Sequence, residues 1–499
     1  MTSLQSNSFK SKFRIIFWPV HNYEVGKVVP MCCLMFSILF NQNILRILKD
    51  SILISEISAE VVSFTKVYCV TPSAALFVII YAKMLNQYSF EKIYCYLISV
   101  FVGFFILFAF IIYPNVHIFH ISANSLEQMM GNYPHFKWYI ALVGNWSYVV
   151  FYTLSELWPN IFYVLLFWQF ANELTTTEEA KRFYTLFSLF GNSSLILVGF
   201  LMMNLSSDDT IAKYFFTVHD NKTTLVKISI SLVIIFAIIS CLLVKFITKN
   251  VFTNPTFYVK AKSGRSTKEK MGLIESFSYI AKSKYLWLML ICSAAFGLSM
   301  NLVEAVWKSK IKELYPTVNT YAEFNSLYIL WTGVAIMVMT IIGNNVMRSH
   351  SWFVAAVISP VIIMISGILF FILIVFDHQV LSLLDSTILM TPLALAVSVG
   401  AIQNILAKGT KYSIWDTSRE MLYIPLDKEL KTKGKAAVDV ISSKIGKSSS
   451  GLIQSIIFTL IPTATFSSIA PLLMVIFTFV CIAWIYAVRK IYFEYKKIV

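Results

Sequence analysis

The chain has 499 residues, of which 57% are hydrophobic and only 13% charged, with a mean hydropathy of +0.70. These values exclude a soluble globular domain, because apolar runs of about 20 residues, long enough to cross a bilayer as a helix, recur along the whole chain. The net charge of +15 fits a membrane protein with basic cytoplasmic loops and is no argument for nucleic acid. The 7 cysteines lie mostly in apolar runs and form neither a disulfide framework nor a metal-ligand spacing.

In chain order, residues 1–27 form a polar, basic tail without a cleavable signal. Spans are expected at about 28–48, 61–83, 93–113, 138–170, 183–204, 224–246, 286–307, 325–347, 352–376, 388–426, 449–468 and 470–492. Two of them, 138–170 and 388–426, are too long for a simple crossing. A lysine-rich linker, 247–284, separates an N-terminal six-helix half (28–246) from a C-terminal one (285–492), and 493–499 form a short tail. The expected fold is therefore an all-α polytopic membrane protein of twelve helices in two six-helix halves. Lys and Arg concentrate in the tail, the linker and the loop after span ten, which places both termini in the cytoplasm.

The first span changes character along its length. It opens as Val28-Val29-Pro30-Met31 and closes as Asn41-Gln42-Asn43-Ile44-Leu45-Arg46-Ile47-Leu48-Lys49-Asp50, with Gln42, Arg46 and Lys49 on one helical face. A cation at the bilayer centre costs roughly 2.5–3.5 kcal/mol on insertion scales, so such a face is expected to look into protein or water.

The halves resemble each other at a nearly constant offset. Asn43-Ile44-Leu45-Arg46 aligns with Asn301-Leu302-Val303-Glu304, and Tyr152-Thr153-Leu154-Ser155-Glu156 with Tyr412-Ser413-Ile414-Trp415-Asp416. Ser188-Leu189-Phe190-Gly191-Asn192 aligns with Ser443-Lys444-Ile445-Gly446-Lys447. A parallel repeat of six spans is the major-facilitator arrangement, with its site between the halves near mid-membrane. The repeat also extends span ten. Hydropathy alone ends that span near Leu406, whereas the alignment sets Lys411 level with Phe151, deep in span four.

Spans one, four, seven and ten carry the intramembrane charges: Arg46 and Lys49, Glu156, Glu304, and Lys408 and Lys411, with Lys308 just past the outer end of span seven. Lysine and arginine suit phosphate oxygens, and the two glutamates are expected to pair with the cations when the site is empty. Asn172, Asn192, Tyr184 and Trp168 could hold a flat polar head. The set favours a multiply charged anion over a sugar or a cationic drug. Lys308, Lys310 and Lys312 are expected in a solvated outer loop, and Trp158 and Trp307 in the interfacial aromatic belt. Gly446-Lys447-Ser448-Ser449 is not a phosphate loop, because Ile441 stands where its first glycine belongs and no strand precedes it. Lys428–Lys435 is expected as a cytoplasmic amphipathic surface.

Several motifs together resemble the ATP/ADP translocases of obligate intracellular bacteria and plastids, most closely the rickettsial type. They are Leu45-Arg46-Ile47-Leu48-Lys49-Asp50, Glu156-Leu157-Trp158, Leu166-Phe167-Trp168-Gln169-Phe170-Ala171-Asn172, Asn301-Leu302-Val303-Glu304 and Lys411-Tyr412-Ser413. The resemblance spans nearly the whole chain; Pro159 stands where it leads one to expect glycine. It implies an antiporter of the bacterial inner membrane that exchanges external ATP, or another nucleoside triphosphate, for internal ADP by alternating access. It implies no enzyme activity, no cofactor, no metal and no nucleic acid, with nucleotides and the lipid bilayer as partners of a monomer. It also implies transport-critical charges at Lys49, Glu156, Glu304 and Lys411 and a base-reading role for Asn192. Arg46 completes the expected substrate site. The alternatives are a proton-coupled net importer and an importer of a non-adenine nucleotide.

Overall fold

The computed structural model describes residues 20–207, 221–253, 283–376, 390–426 and 435–498. Most of the tail and linker, and the expected amphipathic surface up to residue 434, lie outside the described residues. The rest is helical: α1 Asn22–Glu56, α2 Glu60–Gln87, α3 Phe90–Phe119, α4 Trp146–Leu174, α5 Thr177–Ser206, α6 Asn221–Asn250, α7 Lys284–Leu314, α8 Val318–Ser349, α9 Trp352–Val375, α10 Pro392–Met421, α11 Lys435–Leu460 and α12 Phe466–Ile498. Among the described residues, 11 helices are long and apolar enough to cross a membrane. α11 falls short of that measure, because its apolar part is only Ser448–Leu460. The protein is a multi-pass membrane protein.

Sequence chemistry explains the ends. The Thr176 hydroxyl accepts from the Glu179 N–H while Glu179 reaches back, a reciprocal cap that starts α5. Ser283, Thr317 and Thr391 cap α7, α8 and α10 from one side, each hydroxyl accepting from the N–H three residues on, and Pro392 at the first turn of α10 forfeits only an N–H that has no helical partner. The overlong fourth span resolves at Asn145, which leaves helical geometry and separates a short helix, Lys137–Gly144, from α4. The tenth span runs without interruption through Lys411 to Met421, as the repeat alignment predicts and hydropathy alone does not.

The chain forms two compact units. One gathers Met1–Lys49, Ser73–Phe119 and Phe151–Ser266; the other Asp50–Pro72, His120–Val150 and Thr267–Val499. Within the first, α5 lies close on α1 at Gly191, where a Cβ would stand 2.7 Å from Leu39 Cδ1 and 2.8 Å from Met35 Cγ. Asn43 Nδ2 donates to Ser194 Oγ at 3.0 Å, and Asn41 Nδ2 donates to the Val233 carbonyl of α6 at 3.1 Å. At the other end of α1, Lys27 pairs with Glu179 at 2.7 Å and Glu24 with Arg182 at 2.6 Å.

The two tryptophans expected at the membrane interface are instead core residues. Trp158 is fully buried among Phe101, Phe105 and Phe162 and donates to the Ile38 carbonyl at 3.1 Å. Trp307 is likewise buried in the second unit and donates to the Val397 carbonyl at 2.8 Å. An indole N–H satisfied by a backbone carbonyl needs no water, so the reason for an interfacial position is gone.

In the second unit α7 and α11 cross backbone to backbone. A Cβ on Gly297 would meet the Gly446 Cα at 2.9 Å, and one on Gly446 would meet the Gly297 Cα at 3.1 Å. Gly446 therefore serves helix packing inside a continuous helix, while the Lys444 and Lys447 side chains lie outside the described residues. Gly446→Val is expected to push the helices apart at a cost of about 1–3 kcal/mol. Thermal unfolding in detergent checks this, and an unchanged melting temperature would contradict the crossing.

Candidate functional site

Of the six residues expected at the site, Arg46, Lys49, Glu156 and Asn192 belong to the first unit, and Glu304 and Lys411 to the second. In the first unit Lys49 Nζ meets Glu156 Oε1 at 2.9 Å, so an ion pair joins spans one and four. The lysine is buried, and its ammonium also lies 4.2 Å from the centre of the Tyr152 ring, one helical turn before Glu156. Arg46 precedes Lys49 by one turn of α1 and is half-buried. Asn192 follows Gly191 at the close α1–α5 approach and is half-buried. Tyr184 donates to Asn172 Oδ1 at 2.6 Å and packs edge-on against Trp168 at 5.0 Å, so three of the four residues considered for a flat head group do assemble.

In the second unit Lys411 Nζ meets Asp416 Oδ2 at 2.9 Å, with the Tyr412 ring 4.2 Å away. Asp416 is the repeat counterpart of Glu156, so both halves place a lysine on the acid at that position. Glu304 Oε1 meets Lys308 Nζ at 2.9 Å, and the same ammonium meets Asp50 Oδ2 at 2.9 Å. Lys308 is buried, which corrects its assignment to a solvated loop. No glycine or proline occurs between Asn301 and Tyr315, so α7 continues to Leu314 and carries Lys308 inward. Lys312 donates to the Ile57 carbonyl at 2.9 Å, and Lys310 pairs with Glu313 at 2.8 Å. Lys408 donates to the Tyr328 hydroxyl of α8.

Sequence reasoning missed the roles of Asp50 and of Asp416. The signal for the first was the i, i+4 spacing of Glu304 and Lys308 with an acid directly after Lys49. It also missed four stretches of wide π winding: Thr65–Val70 in α2, Phe108–Ile112 in α3, Pro159–Phe167 in α4 and Lys411–Trp415 in α10. Such turns are frequent at functional sites. One begins on Lys411, one includes Lys66 and one begins three residues after Glu156. The stretch in α4 has a visible cause, because Pro159 lacks the N–H that a normal turn would direct to Ser155 and its ring crowds that carbonyl. Among the described residues, no group of three or more His, Cys, Asp or Glu is placed to hold a metal ion.

The architecture is similar to that of solved transporters. The chain aligns with a bacterial homologue of the iron transporter ferroportin in its inward-facing state at a TM-score of 0.59, 11% identity, 93% coverage of this chain and 100% of that one. It aligns with a nucleoside transporter at a TM-score of 0.53, 10% identity, 94% coverage of this chain and 100% of that one. These likenesses support the major-facilitator-like fold expected from the repeat. The sequence is 79% identical to ADP,ATP carrier protein 5 of Rickettsia felis and 77% identical to that of Rickettsia prowazekii, each over 100% of both chains. It is 41% identical to ADP,ATP carrier protein 1 of Rickettsia bellii, over 100% of this chain and 99% of that one. With the family model matched over residues 3–495, the chain belongs to the TLC ATP/ADP transporter family.

Proposed function

We propose that the protein is a nucleotide antiporter that exchanges external ATP, or another nucleoside triphosphate, for internal ADP by alternating access. The observation that carries this is the buried Lys49–Glu156 pair beside Tyr152: a cation is held inside a membrane protein by a carboxylate that a polyphosphate can replace. Arg46, Lys49 and Lys411 take the phosphates in this reading, Glu156 and Glu304 hold the cations between substrates, and Asn192 meets the base. The carrier sits as a monomer in the bacterial inner membrane with both termini cytoplasmic, and residues 28–246 and 285–492 move as its two halves. It catalyses no reaction. Exchange is favoured over net flow because an empty site must reorganise several desolvated charges before it can reorient.

The test is uptake of labelled ATP, GTP, CTP and UTP into bacteria expressing the protein, followed by efflux from preloaded cells. Saturable uptake of at least one triphosphate is expected, with efflux accelerated at least about ten-fold by external nucleotide. Efflux equally fast into nucleotide-free buffer would remove the exchange mechanism. Absence of uptake across the whole panel, with the protein present in the membrane, would remove the transport reading.

A further inference from the structure

The last helix outruns the bilayer. α12 has 33 residues and is therefore about 50 Å long, against a hydrocarbon core of about 30 Å. Residues 466–488 carry no charge and are long enough to cross by themselves, so the charges of α12 begin where the hydrocarbon ends. Around that point Tyr486, Arg489, Lys490, Phe493, Lys496 and Lys497 recur at helical spacing on one face, and all are exposed. We propose that this face of α12 binds an anionic phospholipid, with Arg489, Lys490 and Lys496 on the headgroup phosphate and Tyr486 and Phe493 against the adjoining part of the lipid.

The charge on this face is unbalanced. Glu494 is the one acid in residues 484–499, and it is already shared between Lys284 at 2.8 Å and Lys497 at 3.2 Å. Arg489, Lys490 and Lys496 meet no carboxylate among the described residues. Lys490 lies over the Tyr486 ring at 5.3 Å and Lys496 over the Tyr492 ring at 4.8 Å, contacts that leave ammonium donors for a phosphate. The face is also firmly mounted. On the opposite side of the helix Trp484, Val488 and Ile491 are fully buried. Trp352, at the start of α9, stacks on Tyr495 at 5.6 Å and on Tyr492 at 6.3 Å, and its indole N–H donates to the Ser418 carbonyl at 2.9 Å. α12 is thus held as a helix past the bilayer edge, with its cations at fixed spacing. Aromatic residues interleaved with the cations commit the face to a lipid. Tyr486 is 58% and Phe493 51% exposed, and a soluble anion would gain nothing from them, whereas a phospholipid offers a phosphate and apolar surface together. A zwitterionic headgroup brings its own cation against these basic side chains, so the face selects by net charge.

The experiment offers the purified, delipidated protein limiting and equal amounts of phosphatidylglycerol and phosphatidylcholine with the same acyl chains, in a neutral detergent, and measures the retained lipids by mass spectrometry. The wild type is expected to retain phosphatidylglycerol over phosphatidylcholine by at least about ten-fold at low salt, because each basic side chain at an anionic headgroup contributes about five-fold. Arg489→Gln/Lys490→Gln/Lys496→Gln is expected to bring that ratio within about two-fold. Lys245→Gln/Lys249→Gln, which removes two exposed cations from the end of α6, is expected to leave the ratio unchanged. A wild-type ratio near one, or a preference that survives in the triple variant, overturns the assignment. A fall in the α6 variant as large as in the triple variant also overturns it, because diffuse positive charge would then account for the preference. If the triple variant cannot be purified, the wild type at about 1 M salt decides, where the Debye length is only about 3 Å: the preference must collapse, and its persistence overturns the proposal.

Discussion

Lys49→Glu is expected to lower nucleotide uptake by roughly 100-fold or more while the protein still reaches the membrane. The estimate follows from losing charge-assisted contacts worth about 3 kcal/mol in total, with 1.36 kcal/mol for each factor of ten. Reversal also sets a second carboxylate against Glu156, at a point where the wild-type atoms are 2.9 Å apart. The double variant Lys49→Glu/Glu156→Lys separates stability from transport. It restores an ion pair across α1 and α4, and its melting temperature is expected to return most of the way to wild type. Its uptake is expected to stay low, because the cation then projects from α4 and is no longer one turn from Arg46. Near-normal uptake in Lys49→Glu, measured per molecule in the membrane, would take Lys49 out of the substrate site. Recovery of uptake in the double variant would mean that the pair is structural and that its orientation toward substrate is irrelevant.

What the sequence made legible is what depends on period and composition. Apolar runs marked the helices, and the repeat carried α10 past Leu406 so that Lys411 fell inside it, where the structure has it. Pairing of the glutamates with cations was anticipated because spans one, four, seven and ten all carry charge within the membrane, but not that the partner of Glu156 is Lys49. Other features depend on which helices approach each other. Lys308 looked like a loop lysine because it follows a tryptophan at the edge of the hydropathy window, and only the approach of Asp50 from α1 explains its burial. Trp158 and Trp307 fitted a belt by composition, and only the Ile38 and Val397 carbonyls show why they are inside. π winding at Thr65–Val70 and Lys411–Trp415 leaves no mark in residue type, whereas at Pro159–Phe167 the proline announces it.

Lys308→Met is expected to be the most destabilising single change among the charged residues of the second unit. The Lys308 side chain is 7% exposed and that of Asp50 3%, so both charges have given up most of their hydration and depend on each other and on Glu304. Removing the ammonium from between two carboxylates leaves buried negative charges facing one another, a change that typically costs about 3–5 kcal/mol. For a chain of 499 residues that corresponds to a fall of roughly 3–5 °C in the melting temperature. The same physics predicts rescue. Asp50→Asn/Lys308→Met/Glu304→Gln removes all three charges together, and neutral residues of similar size commonly replace a buried ionic cluster with little loss. Its melting temperature is expected within about 1 °C of wild type. Transport is not rescued with it, because Glu304 belongs to the proposed substrate site. Thermal unfolding of the single and triple variants in detergent reads both effects. A single variant as stable as wild type would mean that water reaches Lys308 and that its original reading as an outer, solvated lysine was right. A triple variant as unstable as the single one would place the cost in lost packing of the lysine stem, not in unbalanced charge.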